Sequence, residues 1–523
     1  MMRALEQPVS HGKLQRGWIV PPRSRLSVGR FGRMFRHLNP SSNDEAFLEN
    51  LSLIMREPAR PSDHIDQIPA GYTYFGQFVD HDLTFDPVSS LTRHNDPNAL
   101  VNFRTPRFDL DSLYGEGPIG QPYLYEKDRA TLRIAINTPV AGEEDLPRLS
   151  NDSVAVIPDP RNDENVIISQ LHLAMMKFHN KVVAVLKLDN AWQGDLLKAA
   201  QQIVRWHYQW CVLSDFLPRL TGLPSIARMP PHVGRGELTH EALNELSRHP
   251  LQFEDLPLAN GARGGQWRKD LRLFKWVHDP FIPIEFSGAV FRFGHSMVRD
   301  GYNLNARGGE IDLFNEGRSL AGSKQRPPGM GIDWSLFFDF PNSPWGPHNM
   351  TRARPIDTLI AKPLAQLPAS VARDGPTSLP LRNLLRGRAF DLPSGQAIAV
   401  AMGLTKDQIL GQGRPFEIDH LGIGNSTIER GGVAVDLKAL EADLQKDAPL
   451  WYYTLAEAQA FEHGLRLGPM ASCMMAEVFA GLMLADQSSF LNIDPRWAPA
   501  AQKFGCSQDR KFEIADLIAW AIS

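Results

Sequence analysis

Cysteine is scarce. Among 523 residues there are three, Cys211, Cys473 and Cys506. None forms a C-x-x-C pair, and three distant cysteines cannot build a disulfide framework, so a reducing compartment is expected. Cys211 and Cys473 sit in apolar, helix-like segments, where a free thiol serves as a small hydrophobe. No basic residue is patterned around any of the three, which argues against a catalytic thiol. Long hydrophobic runs are also lacking. Stretches such as Ala397–Leu404 fall far short of the roughly 20 residues that a bilayer span needs. The opening MMRALEQPVSHGKLQRGWIV has no apolar core of the kind a secretory leader carries. A cytoplasmic or non-classically secreted protein is therefore expected. Charge of one sign is not in excess either: 55 basic and 59 acidic residues leave a net charge of -4. That argues against nucleic acid or an anionic membrane as partner. Repeats, low-complexity tracts and clear strand alternation are missing.

What remains is a chain with 43% hydrophobic and 22% charged residues and a mean hydropathy of -0.27, able to bury a large core. Helical periodicity is its main pattern. Ile168, Leu171, Met175, Phe178, Val182 and Val185 follow one another by threes and fours, and the stripe extends backwards to Glu164 and Arg161. A second helix is expected from about Asp195 to Leu217, stopped by Pro218. A third covers about Pro469 to Asp486. Gly322 to Met350, rich in Pro and Gly, reads as irregular loop. No linker separates independent domains. The expectation is one large, mainly α domain over residues 66–523, with little β-structure, wrapped by an N-terminal arm over residues 1–65. Its size would suit a bulky buried cofactor.

Four segments concentrate chemistry. In IPAGYTYFGQFVDHDLTFDP, a helix from about Tyr72 to Leu83 puts Gln77, Asp80 and His81 on one face and turns Asp82 elsewhere. Phe75, Phe78, Val79 and Leu83 argue for burial, where unpaired acids are costly. The residues alone leave open a surface Asp-His-Asp at a helix end. In TPRFDLDSLYG, Thr105, Arg107, Asp109 and Asp111 alternate. With Asp82 they offer three carboxylates, a hydroxyl and backbone carbonyls, an all-oxygen set of the kind Ca²⁺ takes. A solvated acidic turn fits the same residues. In DPRNDENVIISQLHLAMMKFHNKV, Arg161 and Glu164 stand three apart. Acids favoured by a helix N-terminus explain Asp163 and Glu164 but not Arg161. His172 and His179 are expected to be structural, because one helix cannot send them and Arg161 to one centre. In AVFRFGHSMVRDGYNLN, His295 lies among apolar and aromatic residues, where a satisfied core histidine is the plain reading.

These segments, with LRNLLRGR further on, resemble in order the motifs of the animal-type haem peroxidases, the peroxidase–cyclooxygenase superfamily. The resemblance runs from about Pro69 to Asp486. It implies haem b and Ca²⁺ as cofactors and a mainly α, helical haem-peroxidase domain. His81 would be the acid–base catalyst, Arg161 the distal arginine and Gln77 a pocket residue. Asp80 and Glu164 would be ester-linked to the haem. Asn165 stands where vertebrate members have a haem-bonded methionine, so at most two covalent links are expected. His295 would be the axial iron ligand, with Asn383 accepting from its other ring nitrogen and Arg292 and Arg386 near the propionates. Asp82, Thr105, Arg107, Asp109 and Asp111 would hold calcium. DLPSGQA resembles the bacterial branch. The implied activity is oxidation by H2O2 of a second substrate, a halide, pseudohalide, aromatic or other organic donor. A fatty-acid oxygenase is the alternative, but oxygenases of this superfamily start from a tyrosyl radical three residues before the proximal His, and here that residue is Arg292. A non-catalytic haem- or calcium-binding protein is a further alternative, against which His81 and Arg161 both stand.

Overall fold

The structure is a computed structural model. It describes residues 29–56, 68–85, 101–135, 144–150, 153–188, 194–223, 271–276, 279–315, 317–340, 343–344, 349–369, 371–372, 375–416, 418, 427–430, 432–495, 497–499 and 512–523. Of the expected arm, residues 1–28 and 57–65 lie outside this set, as does Cys506.

Helices take up about 48% of the described residues. The ones that matter here are α1 (Glu45–Ile54), α2 (Gly71–Leu83), α3 (Val166–Leu188), α4 (Leu196–Cys211), α5 (Leu379–Ala389), α6 (Leu450–Glu462), α7 (Pro469–Ala485) and α8 (Ile514–Ile522). Their starts follow capping chemistry. Asp44, Asp195 and Ser378 accept from the third residue inside α1, α4 and α5 at 2.8, 3.1 and 3.3 Å, pairing backbone N–H groups that have no partner within the helix. Helix α2 has no side-chain cap. Its first N–H instead donates to the Phe337 carbonyl at 2.9 Å, which anchors its start inside the protein.

Helix α3 buries the expected stripe from Ile168 to Val182, but Val185 is 56% exposed. There the helix has outrun the body that covers it. Helix α7 is buried along nearly its whole length. Its Phe479 meets Phe108, Phe216, Phe286 and Phe291, which gathers the core around one ring. The second expected helix does not stop at Pro218. A π-turn over Val212–Phe216 follows α4, and the helix then resumes over Leu217–Thr221. Proline lacks an N–H and clashes with the carbonyl four residues back. The wider turn shifts the register just ahead of it, so Pro218 enters at the start of a new helical segment. Gly222, with φ at +67°, then ends that segment.

Sheet content is small. Strand β1 (Gly29–Gly32) lies between β2 (Val101–Asn102, antiparallel) and β3 (Ile282–Pro283, parallel). Just beyond it, Arg33 donates to the carbonyls of Phe390 and Asp391 at 2.7 and 3.1 Å. Glu285 accepts from the N–H groups of Phe35 and Met34 at 3.0 and 3.2 Å. Two hairpins, 301–303 with 310–312 and 427–430 with 433–436, complete the strands among the described residues. No helix among them is long and apolar enough to cross a membrane.

Candidate active site

Arg161 and Glu164 are not on α3. Arg161 lies on a separate 3₁₀ turn, Pro160–Asp163, and Glu164 caps the end of that turn. The turn is dictated locally: the Asp159 side chain accepts the Arg161 N–H at 3.0 Å, and Pro160 presets the backbone angle that follows. Asn165 then caps α3 by accepting from Ile168 N at 2.9 Å. The segment expected to be plain loop supports this turn from outside. Gly322 and Ser323 donate to the carbonyls of Glu164 and Asp163 at 2.9 and 2.7 Å. A Cβ on Gly322 would collide with the Asp163 carbonyl, so only glycine allows that approach.

The turn brings Glu164 to α2. His81 Nε2 is 3.5 Å from Glu164 Oε1. Gln77 donates to Glu164 Oε2 at 3.4 Å and accepts from Asn165 at 3.4 Å. Asp80 accepts from the Thr84 hydroxyl at 3.0 Å. Arg161 does not project freely. Its guanidinium is gripped by Asp159 through Nε and Nη2 at 3.1 and 2.8 Å, and Nη2 also donates to the carbonyls of His81 and Thr84 at 3.0 and 2.5 Å. Its positive charge is thus fixed beside His81. Burial and then Arg161 lower the His81 pKa to about 4, against Asp159, Asp80 and the Asn162 hydrogen bond, so the ring is neutral near pH 7.

Two observations mark a hollow at this point. Burial raises the Glu164 carboxyl to about 7, yet its side chain keeps 49% of its accessible surface. A carboxyl set deep in the protein yet that accessible faces a recess rather than packed side chains. The second observation comes from the opposite motif. Burial, then Arg292 and Arg386, lower His295 to about 3, while the ring remains partly accessible and a Cβ on the adjoining Gly294 would meet nothing within 4 Å. His295 ends a 3₁₀ turn, Val290–His295, that packs against α2 and α7. The Trp451 indole of α6 fixes this turn by donating to the Arg292 carbonyl at 3.1 Å. Arg292 itself donates to the Ser287 carbonyl at 2.9 Å, and the Arg386 guanidinium lies over the Phe390 ring at 5.8 Å.

Asn383, on α5, reaches His295 Nδ1 at 2.8 Å, as the sequence led us to expect, but with its Nδ2 facing the ring. In that sense the amide donates and the His295 proton sits on Nε2. Iron ligation through Nε2 requires the amide turned by 180°, so that its oxygen accepts from Nδ1–H.

Asp82, Asp109 and Asp111 gather within 4.8 Å of one another. The loop is curled rather than extended: Arg107 N donates to the Thr105 carbonyl at 2.8 Å, and Leu110 takes a left-handed φ of 59°. Thr105 Oγ donates to Asp109 at 2.7 Å. The Arg107 guanidinium turns away toward Asp486 at 3.7 Å, which leaves its carbonyl for the loop. Burial and the two neighbouring carboxylates push Asp82 well above the usual range, the penalty of a buried like-charge cluster.

Four residues that the sequence reading did not single out for the site join these parts. Arg104 donates to Asp159 through Nε and Nη2 at 3.0 and 2.5 Å and lies 3.6 Å from Asp111. Asp159 is fully buried. Burial pushes it upward, but Arg161 and Arg104 overcome this and hold it well below the usual range. Arg104, beside the acidic loop, and Arg161 therefore share one carboxylate. The Asp-Pro at 159–160, a capping acid followed by proline at the first position of a turn, was the available signal. Asn162 and His172 form the other link: Asn162 lies 2.8 Å from His81 and 3.0 Å from His172. His172 is thus linked to His81 through Asn162, a contact the sequence did not announce. His179 does stay apart, between the Tyr114 hydroxyl at 3.0 Å and the Ala130 carbonyl at 2.8 Å.

Residues 88–318 match the family model for animal haem peroxidase. That stretch contains the acidic loop, Arg161, Glu164 and His295, but starts after His81 and ends before Asn383. Peroxidase A from Dictyostelium discoideum has a similar structure (TM-score 0.58, 14% identity), covering 95% of this chain and 92% of that one. A fatty acid alpha-dioxygenase from Arabidopsis thaliana and one from Oryza sativa are also similar, each with TM-score 0.55 and 15% identity over 92% of this chain and 76% of theirs. Among curated proteins none matches. Residues 88–318 thus match the animal haem peroxidase family, and the fold is the one shared with peroxidase A and the alpha-dioxygenases.

Proposed function

We propose that the protein is a haem peroxidase that uses H2O2 to oxidise a halide, pseudohalide, aromatic or other small organic donor. The observation that carries this is the pairing, at the edge of an internal hollow, of a neutral buried His81 with the fixed charge of Arg161. The hollow's residues suit haem. His295 would hold the iron through Nε2 with Asn383 behind it, Arg292 and Arg386 would meet the propionates, and Asp80 and Glu164 would form the two esters. Bound there, haem would supply the redox chemistry that neither His nor Arg has. The protein's part is proton handling. His81 Nε2 takes a proton from one oxygen of H2O2 and returns it to the other as the O–O bond breaks, so that the departing oxygen leaves as water. Arg161 stabilises the negative charge that develops on that oxygen. Gln77 helps to hold Glu164 and the approach to His81. The division into an arm, residues 1–65, and a catalytic domain, residues 66–523, belongs to the same reading, supported by β1 being pinned onto the body. So does a place in the bacterial branch, on DLPSGQA.

The alpha-dioxygenase neighbours keep a fatty-acid oxygenase in view as the second reading. Arg292, at the position where the superfamily's oxygenases have their radical tyrosine, favours the peroxidase. Stopped-flow spectroscopy with H2O2, followed by a panel of iodide, bromide, thiocyanate and phenols, separates the two. A peroxidase reacts with H2O2 and is returned to rest by one or more donors, whereas O2 uptake with an unsaturated fatty acid and no H2O2-dependent oxidation would establish the oxygenase. After peroxide turnover, acid–ketone extraction is expected to leave haem on the protein and to release it from the Asp80→Ala, Glu164→Ala double variant.

Calcium would be held by Asp82, Asp109, Asp111, the Thr105 hydroxyl and the carbonyls of Thr105 and Arg107. Asp109→Ala is expected to cost about 1–3 kcal/mol or more, the range for leaving a buried polar group uncompensated, and to lower the melting temperature. Through Arg104 and Asp159 the disturbance should also reach Arg161. Elemental analysis should find calcium in wild type, and active protein free of it would refute the assignment.

A further inference from the structure

The distal histidine is held by a line of three side chains. His81 Nδ1 is 2.8 Å from Asn162 Oδ1, and Asn162 Nδ2 is 3.0 Å from His172 Nδ1. All three residues are buried, at 4%, 0% and 1% exposure. The Asp159-capped turn brings Asn162 inward, and α3 carries His172 seven residues beyond its Asn165 cap, about two turns on and so on nearly the same face.

The amide gives the line a direction. Its oxygen only accepts, so the His81 proton must be on Nδ1. Its nitrogen only donates, so His172 Nδ1 carries the lone pair. With the proton on Nδ1, the bare nitrogen of His81 is Nε2, which faces Glu164 and the hollow. If the amide turned over, its N–H would meet His81 Nδ1, the proton would move to Nε2, and the hollow would be offered a donor instead of a base. In the observed sense His172 Nδ1 takes the amide N–H on the far side, with its own proton on Nε2. The charged groups around His81, namely Arg161, Asp159, Asp80 and Glu164, bear on the charge of the ring. Asn162 bears on which nitrogen holds its proton, since the partner of one ring nitrogen fixes the tautomer.

We propose that Asn162, paired on its far side with His172, is the positioning residue of the distal site: it places the His81 proton on Nδ1 and so leaves Nε2 as the basic atom facing the substrate. The proposal rests on the peroxidase reading for its purpose, but not for its geometry. Asp and Leu both match Asn in shape. Asp keeps the acceptor, whereas Leu keeps only the volume.

The test uses the full chain with its haem replaced by diamagnetic zinc protoporphyrin and its imidazoles labelled with ¹⁵N, the His81 signals being assigned by their loss in His81→Gln. Wild type and Asn162→Asp are expected to show a protonated Nδ1 and a bare Nε2. Asn162→Leu should move the proton to Nε2. In the haem-loaded enzyme, the first reaction with H2O2 should slow by about 10²-fold or more in Asn162→Leu, within the general acid–base range, and Asn162→Asp should be at least about tenfold faster than the Leu variant. His172→Leu, which frees the amide to turn, should mix the two tautomers and serves if Asn162→Leu does not fold. A wild-type proton on Nε2, an unmoved proton in the Leu variants, or equal slowing by Asp and Leu would each overturn the proposal. A wild type inert to H2O2 with its proton on Nδ1 would defeat the peroxidase reading and leave the positioning role standing.

Discussion

His295→Ala is expected to leave the protein unable to retain haem. The side chain is neutral, pushed down to about 3 by burial and the Arg292 and Arg386 charges, so only a change of tautomer, with the Asn383 amide turned, is needed to bare Nε2. Its ring is fixed by Asn383 at 2.8 Å and by a turn that the Trp451 indole locks. Loss of an outer partner of a metal ligand typically costs about 10–100-fold in affinity. Asn383→Leu should fall in that range, and removal of the ligand itself should exceed it. The ratio of Soret to protein absorbance after gel filtration measures this directly. A His295→Ala protein with full haem content and unchanged axial signals by electron paramagnetic resonance would show that the iron is held elsewhere.

His81→Ala and Arg161→Ala should each slow the first reaction with H2O2 by orders of magnitude. Loss of a positioned acid–base group typically costs about 10²–10⁴-fold, and loss of one electrostatic stabiliser about 10²–10³-fold. The two act on a single transition state, so the double variant should lose less than the product of the singles. The structure sharpens this expectation, because Arg161 also holds the His81 carbonyl at 3.0 Å. Part of the Arg161→Ala effect is therefore a displaced His81, already counted in His81→Ala. Arg161→Ala should in addition lower stability, since it takes one of two guanidiniums from the fully buried Asp159. Arg161→Lys should keep a charge but lose the forked grip on Asp159, giving an intermediate rate. Stopped-flow rates at saturating haem content test all of these, and single variants within a few-fold of wild type would remove both residues from the chemistry.

Local signals account for much of what the sequence revealed. Helix α2 was expected from Tyr72 and begins at Gly71. Helix α7 was expected to Asp486 and ends at Ala485, because apolar periodicity and terminal breakers act over a few residues. The hidden features depend on contacts between distant segments. Nothing near Pro218 announces the π-turn that lets the helix run past it. Arg161 and Glu164 were placed on the helix because their spacing continues its stripe, although Asp159 and Pro160 encode a separate turn. The links from Arg104 to Asp159 and from Asn162 to His81 and His172 join residues 55, 81 and 10 apart in sequence. Residue type suggests no such partner: a buried Asn or Arg shows its role only when the fold reveals what it touches.

The pinning of β1 has a consequence in time. Arg33, next to that strand, ends on the carbonyl of Phe390, 357 residues later. At synthesis rates of about 5–20 residues per second, 357 residues take roughly 20–70 s. For that interval the segment around Arg33 exists without the carbonyl that will hold it, and β1 waits almost as long for β3, which arrives only with Ile282. One edge of the first described strand therefore stays unpaired until more than half of the chain has been made, and needs protection for that time.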